Sequence, residues 1–275
     1  LEELTLKRVT LYLITLYAVL AIAAYFLVDM HAFYPPPTSY GDDENIIKLT
    51  TDDNARISAI YLPNQQAKYT ILVSHGNAED LGNIKPFLQK LHDEKFSVLA
   101  YDYQGYGTSE NKPSEHRVYE DIQAAYNYLV NIQKVPADRI VLYGRSLGAA
   151  AAIDLAAQKP VAGLIIESAF LSGLRVVTQY PIFPFDRFDN IDKIKKVTAP
   201  VLVMHGKKDS VVPFAHAEKL YEAANCPKDF LWIDDAGHND VGWKGRDAYW
   251  QKLQDISLMV SLIDQVKQQL KTLST

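Results

Sequence analysis

Cysteine is nearly absent: Cys226 is the only one in 275 residues. A single thiol closes no intrachain disulfide and builds no thiolate metal cluster. An excess of basic residues is missing too. Lys and Arg number 28 against 33 Asp and Glu, a net charge of −5, so there is no electrostatic footprint for nucleic acid. No internal repeat or low-complexity tract is present. The pair Gly105-Tyr106-Gly107 lacks the helix and third glycine of a dinucleotide loop. Neither a metal nor a cofactor is expected. With 48% hydrophobic and 22% charged residues, the chain is globular, which excludes disorder and coiled coil. A mean hydropathy of −0.11 excludes a polytopic membrane protein but leaves room for one span.

That span opens the chain. Residues 9–28 contain no charge, Pro or Gly, and a helix of that length covers the roughly 30 Å hydrocarbon core. Residues 1–34 are read as a transmembrane anchor. A cleaved signal peptide, with Ala21-Ile22-Ala23 as its small-residue site, and a buried core helix are the alternatives. Lys7 and Arg8 precede the span, and Asp29, Asp42, Asp43 and Glu44 follow it. That asymmetry orients the N-terminus to the cytoplasm and the rest of the chain to the extracytoplasmic side, a single-pass arrangement. Tyr12 and Tyr25 near the ends suit the two interfaces. The chain opens on Leu1 rather than Met, which leaves room for native residues before it.

Residues 35–45, with three consecutive prolines at Pro35, Pro36 and Pro37, read as a stiff extended linker. From residue 46 to 275 the chain alternates strand-like and helix-like runs. This is the pattern of one α/β domain with a mostly parallel eight-stranded sheet flanked by helices. Expected strands are 46–50 and 56–62, paired as a hairpin, then 70–74, 97–101, 140–143, 163–167, 201–205 and 230–233. Expected helices are 84–94, 114–132, 147–158, 214–224 and 246–270.

The chemistry begins at Gly144-Arg145-Ser146-Leu147-Gly148, a G-x-S-x-G between an apolar strand and an alanine-rich helix. A tight strand-to-helix turn needs small residues so the backbone can close, and it lifts Ser146 above the sheet as a nucleophile. A bare motif of this kind is common, and the strand–turn–helix context makes it specific. Serine needs a base, and the base an orienting acid, in chain order Ser, acid, His. Of seven histidines only His238 follows the last strand. Asp209 stands in the loop after the preceding strand. Asp234 and Asp235 are rivals, too close to His238 in sequence to reach its far nitrogen easily. His92, His116 and His216 fall on expected helices, and His205 ends a strand, where a structural hydrogen bond is the simpler role. The oxyanion needs two preorganised N–H donors. The backbones of Leu147 and of Asn77 are the candidates, with Asn77 in Ser74-His75-Gly76-Asn77-Ala78-Glu79-Asp80. A plain Gly-Asn turn is the alternative there, and His75 is read as a prop for that loop.

Across roughly residues 71–260 the chain resembles the α/β-hydrolase-domain depalmitoylases and their bud-emergence-type relatives. The resemblance rests on the segment just quoted with Leu81-Gly82, on Tyr101-Asp102-Tyr103-Gln104-Gly105-Tyr106-Gly107, and on Pro113-Ser114-Glu115. It continues through Leu142-Tyr143 with the G-x-S-x-G, Ser172-Gly173-Leu174-Arg175-Val176, Phe188-Asp189-Asn190-Ile191 and Gly237-His238-Asn239-Asp240. It implies the α/β-hydrolase fold and a serine hydrolase of acyl esters or thioesters with Ser146, Asp209 and His238 as triad. The depalmitoylases carry an N-terminal cysteine cluster that is itself acylated. Here an apolar span stands in its place, which argues against cytosolic palmitoyl-protein substrates.

Residues 170–198 are the expected short lid. Phe170, Tyr180, Phe183 and Phe185 are its candidate substrate-binding residues, with Pro181 and Pro184 set against one continuous helix. Those side chains could instead merely cover the sheet; an apolar lid above a serine on a tethered chain points to fatty-acyl substrates, lipid or acyl-protein. Two other classes stay open. A serine peptidase of the same fold would normally want a larger gating domain. A non-catalytic binding module would normally have lost a triad residue, and none is lost.

Overall fold

A computed structural model describes residues 2–273 except Gln179 and Pro181. The first helix, α1 (Glu2–Ala32), is exposed along nearly all of Thr5–Tyr25 and is long and apolar enough to cross a membrane. It is not packed as a core helix would be.

Eight strands follow: β1 (Ile46–Thr50), β2 (Arg56–Leu62), β3 (Thr70–Ser74), β4 (Ser97–Tyr101), β5 (Ile140–Arg145), β6 (Gly163–Glu167), β7 (Val201–Gly206) and β8 (Lys228–Ile233). They form one sheet in the order β1-β2-β4-β3-β5-β6-β7-β8. Strand β2 runs antiparallel to both β1 and β4, and every other pairing is parallel. The apolar runs are continuous because both faces are buried. Along β3, Ile71 and Val73 belong to one cluster and Leu72 to the other, and along β5 Val141 and Tyr143 oppose Leu142. Helices α2 (Leu81–Asp93) and α8 (Val241–Leu273) cover one face. Helices α3 (Glu115–Asn127), α4 (Leu147–Ala156) and α7 (Ala215–Ala223) cover the other. All ten residues of α4 are buried, so its alanines bring it close against the sheet.

Two helices depart most from their expected extents. The helix of 114–132 ends as an α-helix at Asn127 and closes with a π-helical turn, Tyr128–Ile132. Helix α8 starts at Val241, five residues early, and is broken at Arg246 (φ 46°, ψ −129°).

The expected linker lies against the domain rather than standing off it. Phe33 is buried in the core, with its ring 6.0 Å from that of Phe188. Thr38 Oγ1 donates to the Gly107 carbonyl (2.8 Å), Ser39 N donates to Asp80 (2.7 Å), and Tyr40 bonds Asp102. Prolines that hold the strip extended also let its side chains reach successive loops.

The expected lid is partly core. It contains the short helices α5 (Gly173–Thr178) and α6 (Asn190–Lys193). Its ends are drawn together by Gly173 N to Arg187 O (2.6 Å) and Ile191 N to Leu171 O (3.0 Å). That closure buries Phe170, Leu171 and Phe188, with Phe170 and Phe188 6.1 Å apart. Pro181 lies outside the described residues.

Candidate active site

The end of β5 and the start of α4 are forced together. A Cβ on Gly144 would lie 2.3 Å from the Gly148 carbonyl oxygen, and one on Gly148 would lie 2.0 Å from that of Ser74. No side chain fits at either position, so the first turn of α4 seats directly on the end of β3. Ser146 occupies the corner at φ 52°, ψ −112°. An L residue there is strained by about 1–2 kcal/mol, and the Ser146 N–H is held by the Glu167 carbonyl (2.9 Å).

The structure brings Ser146, His238 and Asp209 into one hydrogen-bonded line. His238 Nε2 is 2.9 Å from Ser146 Oγ, and His238 Nδ1 is 2.8 Å from Asp209 Oδ2. Ser168 Oγ donates to the His238 carbonyl (3.1 Å), steadying its loop. Asp209 is buried. Its Oδ1 accepts from Val211 N (2.9 Å) and Val212 N (2.8 Å), and its Oδ2 also lies 3.3 Å from His205 Nε2. Burial pushes the Asp209 carboxyl upward, but the donors on His205, His238 and Val212 outweigh it and hold it well below the usual carboxylate range. Asp209 is therefore held as an anion. The rival Asp234 instead pairs with Lys207 (2.7 Å) on the surface.

Five further histidines among the described residues have other partners. His92 meets the Pro63 carbonyl, and His116 is exposed beside Glu120. His205 Nε2 is 2.9 Å from the Val212 carbonyl, which fixes the loop carrying Asp209. The Leu171 N–H donates to His216 Nδ1 (3.1 Å), and burial, with His205 nearby, pushes the His216 imidazole down to about 4. His75 Nδ1 is bonded to the Gly76 carbonyl (2.8 Å), and its Nε2 lies 3.1 Å from the Asp102 carboxylate. Burial alone would lower its pKa; Asp102 and the carbonyl win, and the net shift is upward.

Neither the Leu147 nor the Asn77 backbone N–H has a protein acceptor among the described residues. The Asn77 loop is bound at Gly76 N, which donates to Glu79 (2.8 Å), and Ala78 takes φ 60°.

The residue that sequence reading passed over is Arg145. Its guanidinium pairs with Glu79 on the Asn77 loop, lies 3.5 Å from Glu167 on β6, and donates to Asn239 beside His238 (2.7 Å). Glu167 in turn accepts from Tyr143 (2.7 Å) and Tyr249 (2.8 Å). Burial opposes the charge on Arg145, but Glu79 and Glu167 raise its pKa overall. Three loops that present catalytic candidates thus share one cation. Behind it, between α2 and α8, lies a cavity of about 550 Å³ walled by Phe87, Tyr143, Trp243, Tyr249 and Trp250. Ser146 and His238 do not line it.

Of the four candidate substrate-binding residues, Phe170 is buried in the core and Tyr180 is 72% exposed. Phe183 and Phe185 stack on each other and pack against Tyr17 and Tyr25 of α1. The first lies in the core because the closure of the lid's ends buries it. The other placements follow from an N-terminal helix whose docking on the lid no pattern in 170–198 encodes. Among the described residues, no group of three His, Cys, Asp or Glu side chains is gathered to hold a metal ion.

The sheet order, the elbow and the solved structures that resemble this one define the α/β-hydrolase fold. A Pyrococcus furiosus esterase aligns with a TM-score of 0.65 at 20% identity, over 80% of this chain and 97% of that one. The esterase domain of a Rhodothermus marinus protein gives 0.58 at 23%, over 74% and 95%. At these identities the likeness is one of fold. In sequence, a family model described as serine aminopeptidase, S33, matches residues 65–183. Human α/β-hydrolase domain-containing protein 17B is 40% identical over 219 residues, 77% of this chain and 73% of that protein. Mouse α/β-hydrolase domain-containing protein 17C is 42% identical over 202 residues, 71% of this chain and 60% of that one. The chain belongs to the α/β-hydrolase family that includes these two proteins.

Proposed function

We propose that this protein is a serine hydrolase of carboxylic esters or thioesters, acting on fatty-acyl substrates from a membrane to which α1 anchors it. The observation that carries the reading is the unbroken line from Ser146 Oγ through His238 to Asp209, at 2.9 and 2.8 Å. His238 Nε2 takes the Ser146 proton as Oγ attacks the acyl carbon, and the Leu147 and Asn77 N–H groups receive the oxyanion. His238 then protonates the departing alcohol or thiol. Water, deprotonated by the same imidazole, releases the acid from the acyl-enzyme. Lys7 and Arg8 before the span put the hydrolase domain on the extracytoplasmic side of a single-pass protein.

Two findings support an ester or thioester over other acyl groups: the esterases among the fold neighbours, and the apolar lid packed on an apolar helix. The test is hydrolysis of 4-nitrophenyl esters from two to sixteen carbons beside a palmitoyl thioester, with Ser146→Ala as the control. Wild type labels covalently with a fluorophosphonate probe and the variant does not. Labelling of the variant at the same site would refute Ser146 as nucleophile. The description of the matching family model favours a peptidase as the second reading. Faster turnover of aminoacyl-4-nitroanilides than of any ester would establish it instead.

A further inference from the structure

The chain leaving α1 is clasped by the loop that carries Asn77. The Asn77 side-chain amide donates to the carbonyl of Ala32, the last residue of α1 (2.7 Å), and its oxygen accepts from Tyr34 N (2.9 Å). A carbonyl can only accept and a backbone N–H can only donate, so the amide has one possible orientation. Tyr106 OH donates to the same oxygen (2.6 Å) and lies 3.2 Å from Tyr34 N. Phe33, between the two clasped residues, is buried against Phe188, and Ser39 is tied to Asp80 six residues on. The strip has no slack on either side of Asn77. Midway along its length α1 is tied to the lid, where Tyr17 OH donates to the Ile182 carbonyl (2.9 Å).

Asparagine is suited to this place because it donates and accepts from one planar group. Aspartate has no donor for the Ala32 carbonyl, and alanine has neither function. The next residue, Ala78, sits at φ 60°, a conformation that an L residue keeps only when its surroundings hold it.

Resting on the reading of Ser146 as nucleophile, we propose that the Asn77 side chain is a positioning group. It couples the end of α1 to the oxyanion loop, so that the Asn77 backbone N–H is aimed only while residues 32–34 are docked. An oxyanion donor acts on the transition state rather than on bound substrate. Releasing the clasp therefore lowers kcat and leaves KM unchanged, which loss of substrate contacts would not do; kcat is counted per site labelled to completion with the fluorophosphonate probe, so that unfolded protein does not enter it.

The experiment uses the full chain in detergent or vesicles. Asn77→Ala is expected to lower kcat about 10- to 100-fold with KM within twofold, against about 10²–10³ for outright loss of a donor. Affinity for an alkyl trifluoromethyl ketone, whose hemiketal oxygen occupies the oxyanion position, falls in parallel. Tyr106→Phe removes one donor to the Asn77 oxygen and gives a smaller drop of the same kind. It also serves if Asn77→Ala fails to fold. A kcat within twofold of wild type in both variants, or a rise in KM at constant kcat, overturns the coupling. Residual activity in Ser146→Ala overturns the underlying reading instead, so the two failures are told apart.

Discussion

Replacing Asp209 by Asn changes one atom, and the surroundings dictate which way the new amide faces. Oδ1 receives the N–H groups of Val211 and Val212 at 2.9 and 2.8 Å, so the amide oxygen must stay there. The NH2 group is then placed where Oδ2 stood, against His238 Nδ1 and His205 Nε2. His205 Nε2 already carries a proton toward the Val212 carbonyl, so it can offer the new amide no acceptor. His238 Nδ1 can, by becoming the unprotonated nitrogen. The proton moves to Nε2, which then faces Ser146 Oγ as a donor and cannot take its proton. The expected loss is about 10⁴ in kcat, the magnitude known for the same change in a serine-protease triad, or about 5.4 kcal/mol of barrier. Folding suffers less, because the two backbone bonds survive; one poorly paired buried amide costs about 1–3 kcal/mol. Steady-state ester hydrolysis and urea denaturation of the same preparation separate the two effects. Activity within tenfold of wild type would refute the tautomer argument. So would a larger loss in Asp234→Asn, whose carboxylate pairs with Lys207 at the surface.

Three further outcomes follow from the fold. Gly148→Ala drives a methyl group to 2.0 Å from the Ser74 backbone oxygen, and should destabilise the protein by about 3 kcal/mol or more and abolish fluorophosphonate labelling. Arg145→Met leaves Glu167 buried beside two tyrosines without its cation; a stability loss of about 3–5 kcal/mol with reduced kcat is expected in denaturation and rate measurements. Asp121 is buried, and burial pushes its carboxyl up to about 8, against about 3.9 in an unfolded chain. The folded state then holds a proton that the unfolded state has lost, so stability falls as pH rises from about 4 to about 8, by about 1.4 kcal/mol per unit. Asp121→Asn should flatten that slope in denaturation curves at pH 5, 6, 7 and 8, and an unchanged slope would refute the assignment.

Strands were legible because a sheet buried on both faces writes itself as short unbroken apolar runs, as in Val201-Leu202-Val203-Met204. The candidate site was legible where chain order constrains it: a serine at a strand–helix corner, an acid after β7, a histidine after β8. Arg145 was not, because the x of G-x-S-x-G accepts many residues, and its partners Glu79 and Asn239 stand 66 and 94 positions away. The burial of Phe170 was not legible for a related reason. Whether an aromatic residue covers a site or fills a core depends on where its loop closes, here through Gly173 and Arg187. Nor does local composition tell that a proline-rich strip will be bonded along a domain.

The shared cation at Arg145 has a consequence for how the protein comes into being. Its partners arrive at the growing chain in the order Glu79, Glu167, Asn239, and the last of these comes together with His238. A fragment that has emerged only as far as β6 already contains the serine corner, but it has neither the base nor the acid, and one arm of the guanidinium is unfilled. On the proposed triad, reactivity toward acyl groups is thus withheld from every chain that ends before residue 238. On the same proposal, synthesis passes through a long unfinished stage in which the serine corner is present and the base that would activate it is not.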